Sequence, residues 1–284
     1  MAFYDGLQKY GCAVKTNARL KSAFGDTFTV QTAVFPSNFT AAAQAAKACK
    51  GAVYLGGITN TLVLEDIPLA VCMGGMKGII DGERDIYVMG GESLSAACGW
   101  AKMRALSGME QLCGIPGTAG GAAAGNSGCF GREMSDLIVY ADVAIGGRVE
   151  RVYAKDVSFS YRHSSLKGLI LGVMLRLTPS SGEKIEEDMR VWRALRASTQ
   201  PGRPSLGCTF KKCGEVSSAY YIEKSGFKGM TEGGAQVSEK HAGFIVNTGT
   251  ATARDYYNLA EKVRAGTVSP HPLEYEINIL GTRT

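Results

Sequence analysis

The amino-acid sequence predicts an α+β fold. Three observations carry that reading: apolar runs of strand length recur, segments of helical composition or spacing lie among them, and glycine clusters punctuate the whole. Near the N-terminus, Thr40 to Lys50 is rich in alanine, the best helix former, opens on a capping hydroxyl and is stopped by Gly51. Ala52 to Leu55 then reads as a short strand, Gly56-Gly57-Ile58-Thr59-Asn60 as a turn tolerant of unusual backbone angles, and Thr61 to Leu64 as the next element. Further strands are expected at Leu69 to Cys72, Ile86 to Met89, Leu137 to Ile145, Val149 to Tyr153 and Leu169 to Leu177, with Gly146-Gly147 forming a tight hairpin. Glu92 to Leu106 carries Leu94, Cys98, Ala101 and Met103 at helical spacing. The polar stretch 179–188 predicts a linker or exposed turn, and beyond it a strand at Gly243 to Asn247 and a helix at Ala251 to Arg264 suggest a compact α/β cap.

Composition narrows the class. A chain of 284 residues with 45% hydrophobic content can bury one large core or two to three smaller ones. The 37 glycines cluster without a three-residue period, which excludes collagen. Net charge is only +5 and the basic residues form no run longer than Lys211-Lys212, so a small anionic ligand is a better expectation than a nucleic-acid groove. Eight cysteines lack Cys-x-x-Cys pairs and follow no signal-peptide pattern, which predicts reduced thiols in a cytoplasmic protein. His163 and His241 are far apart in sequence with no third ligand at recognisable spacing, so no metal is expected. Apolar runs such as Gly168 to Leu177 are too short to span a bilayer as helices.

The segment with the clearest chemical content is Gly114-Ile115-Pro116-Gly117-Thr118-Ala119-Gly120-Gly121, continuing through Asn126-Ser127-Gly128-Cys129-Phe130-Gly131. Such glycine density lets main-chain N–H groups approach a diphosphate, although a glycine-rich stretch taken alone is more often a set of turns than a cofactor cradle. Neither the Rossmann fingerprint nor the Walker loop is present.

These residues resemble the second flavin-binding signature of the UDP-N-acetylenolpyruvoylglucosamine reductase family. The resemblance extends in order through Leu55-Gly56-Gly57-Ile58-Thr59-Asn60, Tyr161-Arg162-His163-Ser164, Gly207-Cys208-Thr209-Phe210-Lys211, Gly233-Gly234-Ala235, Ser238-Glu239-Lys240-His241, Phe244-Ile245-Val246-Asn247 and Leu273-Glu274-Tyr275-Glu276. It implies a two-subdomain FAD-binding fold of the vanillyl-alcohol-oxidase type plus a C-terminal α/β substrate-binding domain. The corresponding spans are 1–66, 67–200 and 201–271, with 272–284 returning to the first. It implies non-covalent FAD, NADPH as hydride donor, and reduction of UDP-N-acetylglucosamine enolpyruvate to UDP-N-acetylmuramate by a protein favoured as a monomer, without nucleic-acid or membrane partners. Arg162, Glu276 and Cys208 take the catalytic positions, with Cys208 where the family has a proton-donating serine; a thiol is a stronger acid than an alcohol. The flavin-binding positions are Gly56, Gly57, Ile58, Thr59, Asn60, Thr61, Gly114, Ile115, Pro116, Gly117, Thr118, Gly120, Gly121, Asn126 and Gly128. Tyr161, Arg196 and Lys211 fall on the substrate side, and Arg193 resembles a further basic residue there. The absence of a substrate-covering Tyr loop points to the shorter subclass.

Some positions depart from the family pattern. Ile58 replaces a glycine, Gly243 an asparagine and Asn278 a basic residue, and the first fifty residues lack the family's opening stretch. A β-branched residue tolerates positive φ poorly, so Ile58 is expected to crowd the pyrophosphate. A flavin-dependent oxidase of the same fold and a catalytically silent nucleotide-sugar binder are the alternative readings.

Overall fold

The computed structural model describes residues 4 and 6–281, so the outermost ends of the spans 1–66 and 272–284 lie outside the described residues. In chain order the elements are β1 (Cys12–Lys21), β2 (Thr27–Pro36), helix α1 (Phe39–Ala48), β3 (Val53–Leu55), β4 (Thr61–Val63), β5 (Ile67–Cys72), β6 (Ile79–Asp81) and β7 (Asp85–Met89). Helices α2 (Leu94–Met103) and α3 (Ala119–Ala124) precede β8 (Ile138–Ile145), β9 (Arg148–Tyr153), β10 (Leu169–Arg176) and helix α4 (Gly182–Thr199). The remainder is β11 (Ser205–Cys208), α5 (Ser218–Lys224), β12 (Thr231–Glu232), β13 (Ala235–Val237), β14 (Phe244–Asn247), α6 (Ala253–Gly266) and β15 (Asn278–Leu280). They divide into two compact units: Met1–Ala18, Val30–Gly57 and Ile67–Ala194 form unit 1, and Arg19–Thr29, Ile58–Asp66 and Leu195–Thr284 form unit 2.

Unit 1 holds two sheets. One has the order β1-β2-β5-β3, with β5 parallel to both β2 and β3; the other is antiparallel with the order β9-β8-β10-β7-β6. The central strands β7, β8 and β10 of the antiparallel sheet are buried on both faces. On one, Ala144 and Leu171 join Val34, Val71 and the alanines 41, 42 and 45 of α1; on the other, Val88, Ala141, Val143 and Val173 meet α2, α3 and the Ile185 and Met189 side chains of α4. Local chemistry sets the helix ends: Asn38 Oδ1 accepts from Ala41 N at 2.8 Å, Ser93 Oγ from Ala96 N at 3.1 Å, and Gly51 at φ 76° follows α1. The expected hairpin between β8 and β9 turns through Gly146 and Gly147, both at positive φ, as a two-residue turn of this twist requires.

The largest differences from the sequence expectation lie in two stretches. No strand is expected before Ala52, yet β1 and β2 occupy residues 12–36. Residues 182–188, expected as linker or turn, are the first two turns of the 18-residue α4. Within unit 1 that helix buries only Ile185 and Met189, one turn apart, so its apolar stripe is too thin to stand out among charges. Ser181 Oγ accepts from Lys184 N at 3.2 Å, and Lys184–Asp188 and Glu187–Arg190 pair along the exposed side.

Unit 2 is built on the antiparallel order β11-β14-β13-β12, while β15 runs parallel to β4. Helix α6 starts at a capping box in which Thr252 Oγ1 accepts from Asp255 N at 3.1 Å and Asp255 Oδ2 from Thr252 N at 2.9 Å. Its inner face packs Tyr256, Leu259, Ala260 and Val263 against Phe24, Leu206, Phe210, Ile245 and Ile277.

Candidate active site

In unit 1 the glycine-rich turn between residues 114 and 121 is held from within. Ile115 N donates to Leu112 O, Leu94 N to Gly117 O, Ala119 N to Glu92 O and Gly120 N to Gly90 O, all at 2.8–3.1 Å. Thr118 caps α3, its Oγ1 accepting from Gly121 N at 3.3 Å. Gly117 sits at φ 124°, a conformation that favours glycine. The loop after β3 comes up against this turn: a Cβ on Gly56 would lie 2.6 Å from Thr118 Oγ1. Gly56 and Thr118, expected to share a ligand, are therefore brought together. Gly120 answers to packing as well, since a Cβ there would meet Gly90 O at 2.9 Å.

Asn126 is fully buried and takes a left-handed φ of 42°. Its Nδ2 donates to Glu133 Oε2 at 2.8 Å and to Ser160 O at 3.1 Å, and its Oδ1 accepts from Ser135 N at 2.9 Å. The amide's two donors are both used inside the protein, so Asn126 ties two short hairpins together. One pairs Gly128–Cys129 with Arg132–Glu133; there a Cβ on Gly128 would meet Glu133 Cα at 2.9 Å. The other pairs Phe159–Ser160 with His163–Ser164 and carries Tyr161 and Arg162 at its tip. Arg162 stands at φ 56°, with its guanidinium 4.8 Å from the centroid of the exposed Tyr161 ring. A non-glycine residue held there costs about 1–3 kcal/mol, the kind of local strain that clusters at functional sites.

In unit 2 one backbone network joins three of the expected segments. Lys211 N donates to Glu274 O and Glu276 N to Thr209 O, both at 2.9 Å, and Phe210 bridges Tyr275 as in an antiparallel pair. Asn60 completes it, its Nδ2 donating to Glu276 O at 3.1 Å while its own carbonyl accepts from Asn278 N at 2.9 Å. Thr61 opens β4 opposite Asn278. Cys208 ends β11 opposite Phe244, after an irregularity in register at Gly207 with φ 81°. Asn60, Thr61, Cys208, Lys211 and Glu276 thus share one neighbourhood, and Lys211 Nζ lies 3.4 Å from Glu274 Oε2. Leu273 and Ile277 are buried in the core, Tyr275 and Glu276 are half-buried, and Glu274 and Asn278 are exposed.

Ile58 takes φ 53°, and its carbonyl accepts from Ala23 N at 3.0 Å. The substitution expected to suffer at positive φ stands at positive φ. Gly243 has a packing cause, because a Cβ there would lie 3.0–3.1 Å from the His241 ring and 3.3 Å from Ala219 Cβ. Arg196 Nη1 donates to Gln200 Oε1 at 2.7 Å, while Arg193 in unit 1 lies 3.3 Å from Glu186 Oε1. Two open clefts of unit 1, of about 390 and 580 Å³, are lined by none of the expected site residues. Sequence reasoning missed the pairs Thr209–Tyr256 and Tyr275–Glu261 behind the unit-2 network. Their signal in sequence is slight: a polar atom on residues otherwise read as core.

Comparison with known proteins gives this arrangement its class. Residues 200–280 match the C-terminal domain of UDP-N-acetylenolpyruvoylglucosamine reductase. The fold matches a crystal structure of UDP-N-acetylenolpyruvylglucosamine reductase from Thermus caldophilus with a TM-score of 0.82 at 29% identity, covering 95% of this chain and 100% of that one. A reductase of that name from Symbiobacterium thermophilum is 37% identical over 242 residues, 81% of this chain and 78% of that protein. Another, from Heliobacterium modesticaldum, is 38% identical over 207 residues, 70% of this chain and 66% of that protein. The chain belongs to the UDP-N-acetylenolpyruvoylglucosamine reductase family.

Proposed function

We propose that this chain reduces UDP-N-acetylglucosamine enolpyruvate to UDP-N-acetylmuramate in the cytoplasm, as a step of peptidoglycan precursor synthesis, with non-covalent FAD and NADPH. The observation that carries the reading is the pairing of residues 209–211 with 274–276, which sets the thiol-bearing and carboxylate-bearing segments of unit 2 side by side. In family terms the flavin-binding subdomains of the vanillyl-alcohol-oxidase type are residues 1–66 and 67–200, and the substrate domain is 201–271.

The glycine-lined turn fits a flavin pyrophosphate only in part. The N–H groups of Ala119, Gly120 and Gly121 already have partners, so Gly114, Gly117 and Thr118, with Gly56 and Gly57, would hold it, and Gly120, Gly121, Asn126 and Gly128 support them. Flavin held there would supply hydride transfer, with NADPH as the source and the terminal enolpyruvyl carbon as the acceptor. Negative charge then develops on the neighbouring carbon and its carboxylate. The Arg162 guanidinium, a planar cationic fork, holds that carboxylate. Cys208 Sγ gives its proton to the charged carbon, completing conversion of the C=C bond to CH–CH3, and Glu276 acts beside it on the enol-like species. Tyr161, Arg196 and Lys211 bind the UDP-sugar, the two cations facing its diphosphate.

Anaerobic titration tests this. NADPH should bleach the FAD-loaded protein, and the UDP-sugar enolpyruvate should restore the flavin absorbance. Cys208→Ala should slow the second step by about 10²–10⁴-fold, the usual worth of a positioned proton donor, and spare the first. Equal slowing of both steps would refute the proton-donor role.

A further inference from the structure

Behind the Cys208 and Glu276 segments lies helix α6, and it reaches each of them through one polar contact. Thr209, adjacent to Cys208, has its Oγ1 2.9 Å from Tyr256 Oη, with both side chains fully buried. Tyr275, adjacent to Glu276, donates from its Oη to Glu261 Oε1 at 2.5 Å. Glu261 is itself gripped by Arg264, whose Nε and Nη2 donate at 3.1 and 2.7 Å and hold the carboxyl below its usual range, as an anionic acceptor. The rings of Phe210 and Tyr275 stack between the two anchor points, with centroids 5.0 Å apart at 27°.

We infer that α6 is a positioning element for proton delivery: Tyr256 and Glu261, through Thr209 and Tyr275, set the placement of Cys208 against Glu276. The inference rests on the roles proposed for those two residues. The chemistry of the pairs supports it. Valine and phenylalanine would fill the space of Thr209 and Tyr256 equally well, and removing both partners of a buried hydrogen bond together leaves nothing unsatisfied, so the bond adds little net stability. What it adds is direction, since a hydrogen bond fixes an angle and a distance that apolar packing leaves loose. The same holds at Tyr275, whose ring stacking on Phe210 survives loss of the hydroxyl while the tether to Glu261 does not. A misplacement of about 1 Å in a reacting group is enough to cost about 10²-fold in rate.

The test uses the full FAD-loaded chain, its two half-reactions followed separately by anaerobic stopped flow. Thr209→Val combined with Tyr256→Phe, and separately Tyr275→Phe, should leave flavin bleaching by NADPH unchanged. Flavin return on addition of the UDP-sugar enolpyruvate should slow about tenfold or more, with a larger solvent deuterium isotope effect. Thr209→Ser with Tyr256 intact, which keeps the hydroxyl pair, should retain the parental rate. An unchanged second half-reaction in both variants, or equal slowing of both halves, overturns the positioning role. If the parent protein shows no flavin return with this substrate, the proposed function itself fails, a result separable from either outcome in the variants.

Discussion

Asn126 lies in a glycine-rich motif where a ligand-binding amide is expected, yet its polar atoms face inward, and replacing it separates the two possibilities. Asn126→Ala removes two donated bonds and one accepted bond, and strands Glu133 Oε2, Ser160 O and Ser135 N in a part-buried setting. At about 1 kcal/mol net per hydrogen bond the loss is about 3 kcal/mol. The left-handed φ of 42° adds about 1 kcal/mol, because alanine lacks the local compensation that lets asparagine occupy that region. The expected total is about 4 kcal/mol, a large share of a domain's stability. Asn126→Gly should lose the same bonds without the backbone strain, although glycine's extra unfolded-state entropy returns about 0.5–1 kcal/mol of that difference. Equilibrium urea unfolding of the flavin-free protein gives the numbers. A loss below about 1 kcal/mol together with abolished FAD binding would show that the amide serves the cofactor and that the strut interpretation is wrong.

Two further outcomes follow from single residues. Ile58→Gly should relieve about 1–2 kcal/mol of left-handed strain against about 0.5–1 kcal/mol of added unfolded-state entropy, leaving stability level or slightly raised while FAD binds more tightly; weaker FAD binding in a fluorescence titration would refute the crowding argument. His241 is held below its usual 6.5 chiefly by burial, with Lys228 also lowering it and Glu223 opposing, and its Nδ1 accepts from Gly243 N at 3.1 Å. As pH falls below about 6.5 the unfolded chain takes up this proton before the folded one. The contribution is therefore present at neutral pH and lost on acidification, and His241→Gln should flatten the decline in stability between pH 7.5 and 5.5; an unchanged slope would refute it.

How far the sequence could be read depended on how completely each element is buried and on how near a residue's partners lie in the chain. The strands β7, β8 and β10 are legible because both faces are buried, which forces continuous apolar runs. Strand β1 is not, because it lies at a sheet edge and buries only Cys12, so Lys15-Thr16-Asn17 carries no pattern. Helix α4 fails for the same reason, its apolar stripe in unit 1 being two residues wide.

The candidate site repeats this division at finer scale. Its motifs locate the segments, and the structure joins Gly56 to Thr118 in unit 1, and Asn60, Cys208 and Glu276 in unit 2, as the motifs imply. What motifs cannot convey is the sense in which a polar atom points. Asn126 and Gly128 share a signature with Gly117, but Asn126 spends its amide on Glu133 and Ser160, and Gly128 exists because the backbone of Glu133 leaves no room for a Cβ. A signature of this kind therefore mixes residues that would touch a ligand with residues that shape the loop touching it. Only the direction of each hydrogen bond tells them apart, and that direction is set by partners up to 34 residues away for Asn126 and 216 for Asn60.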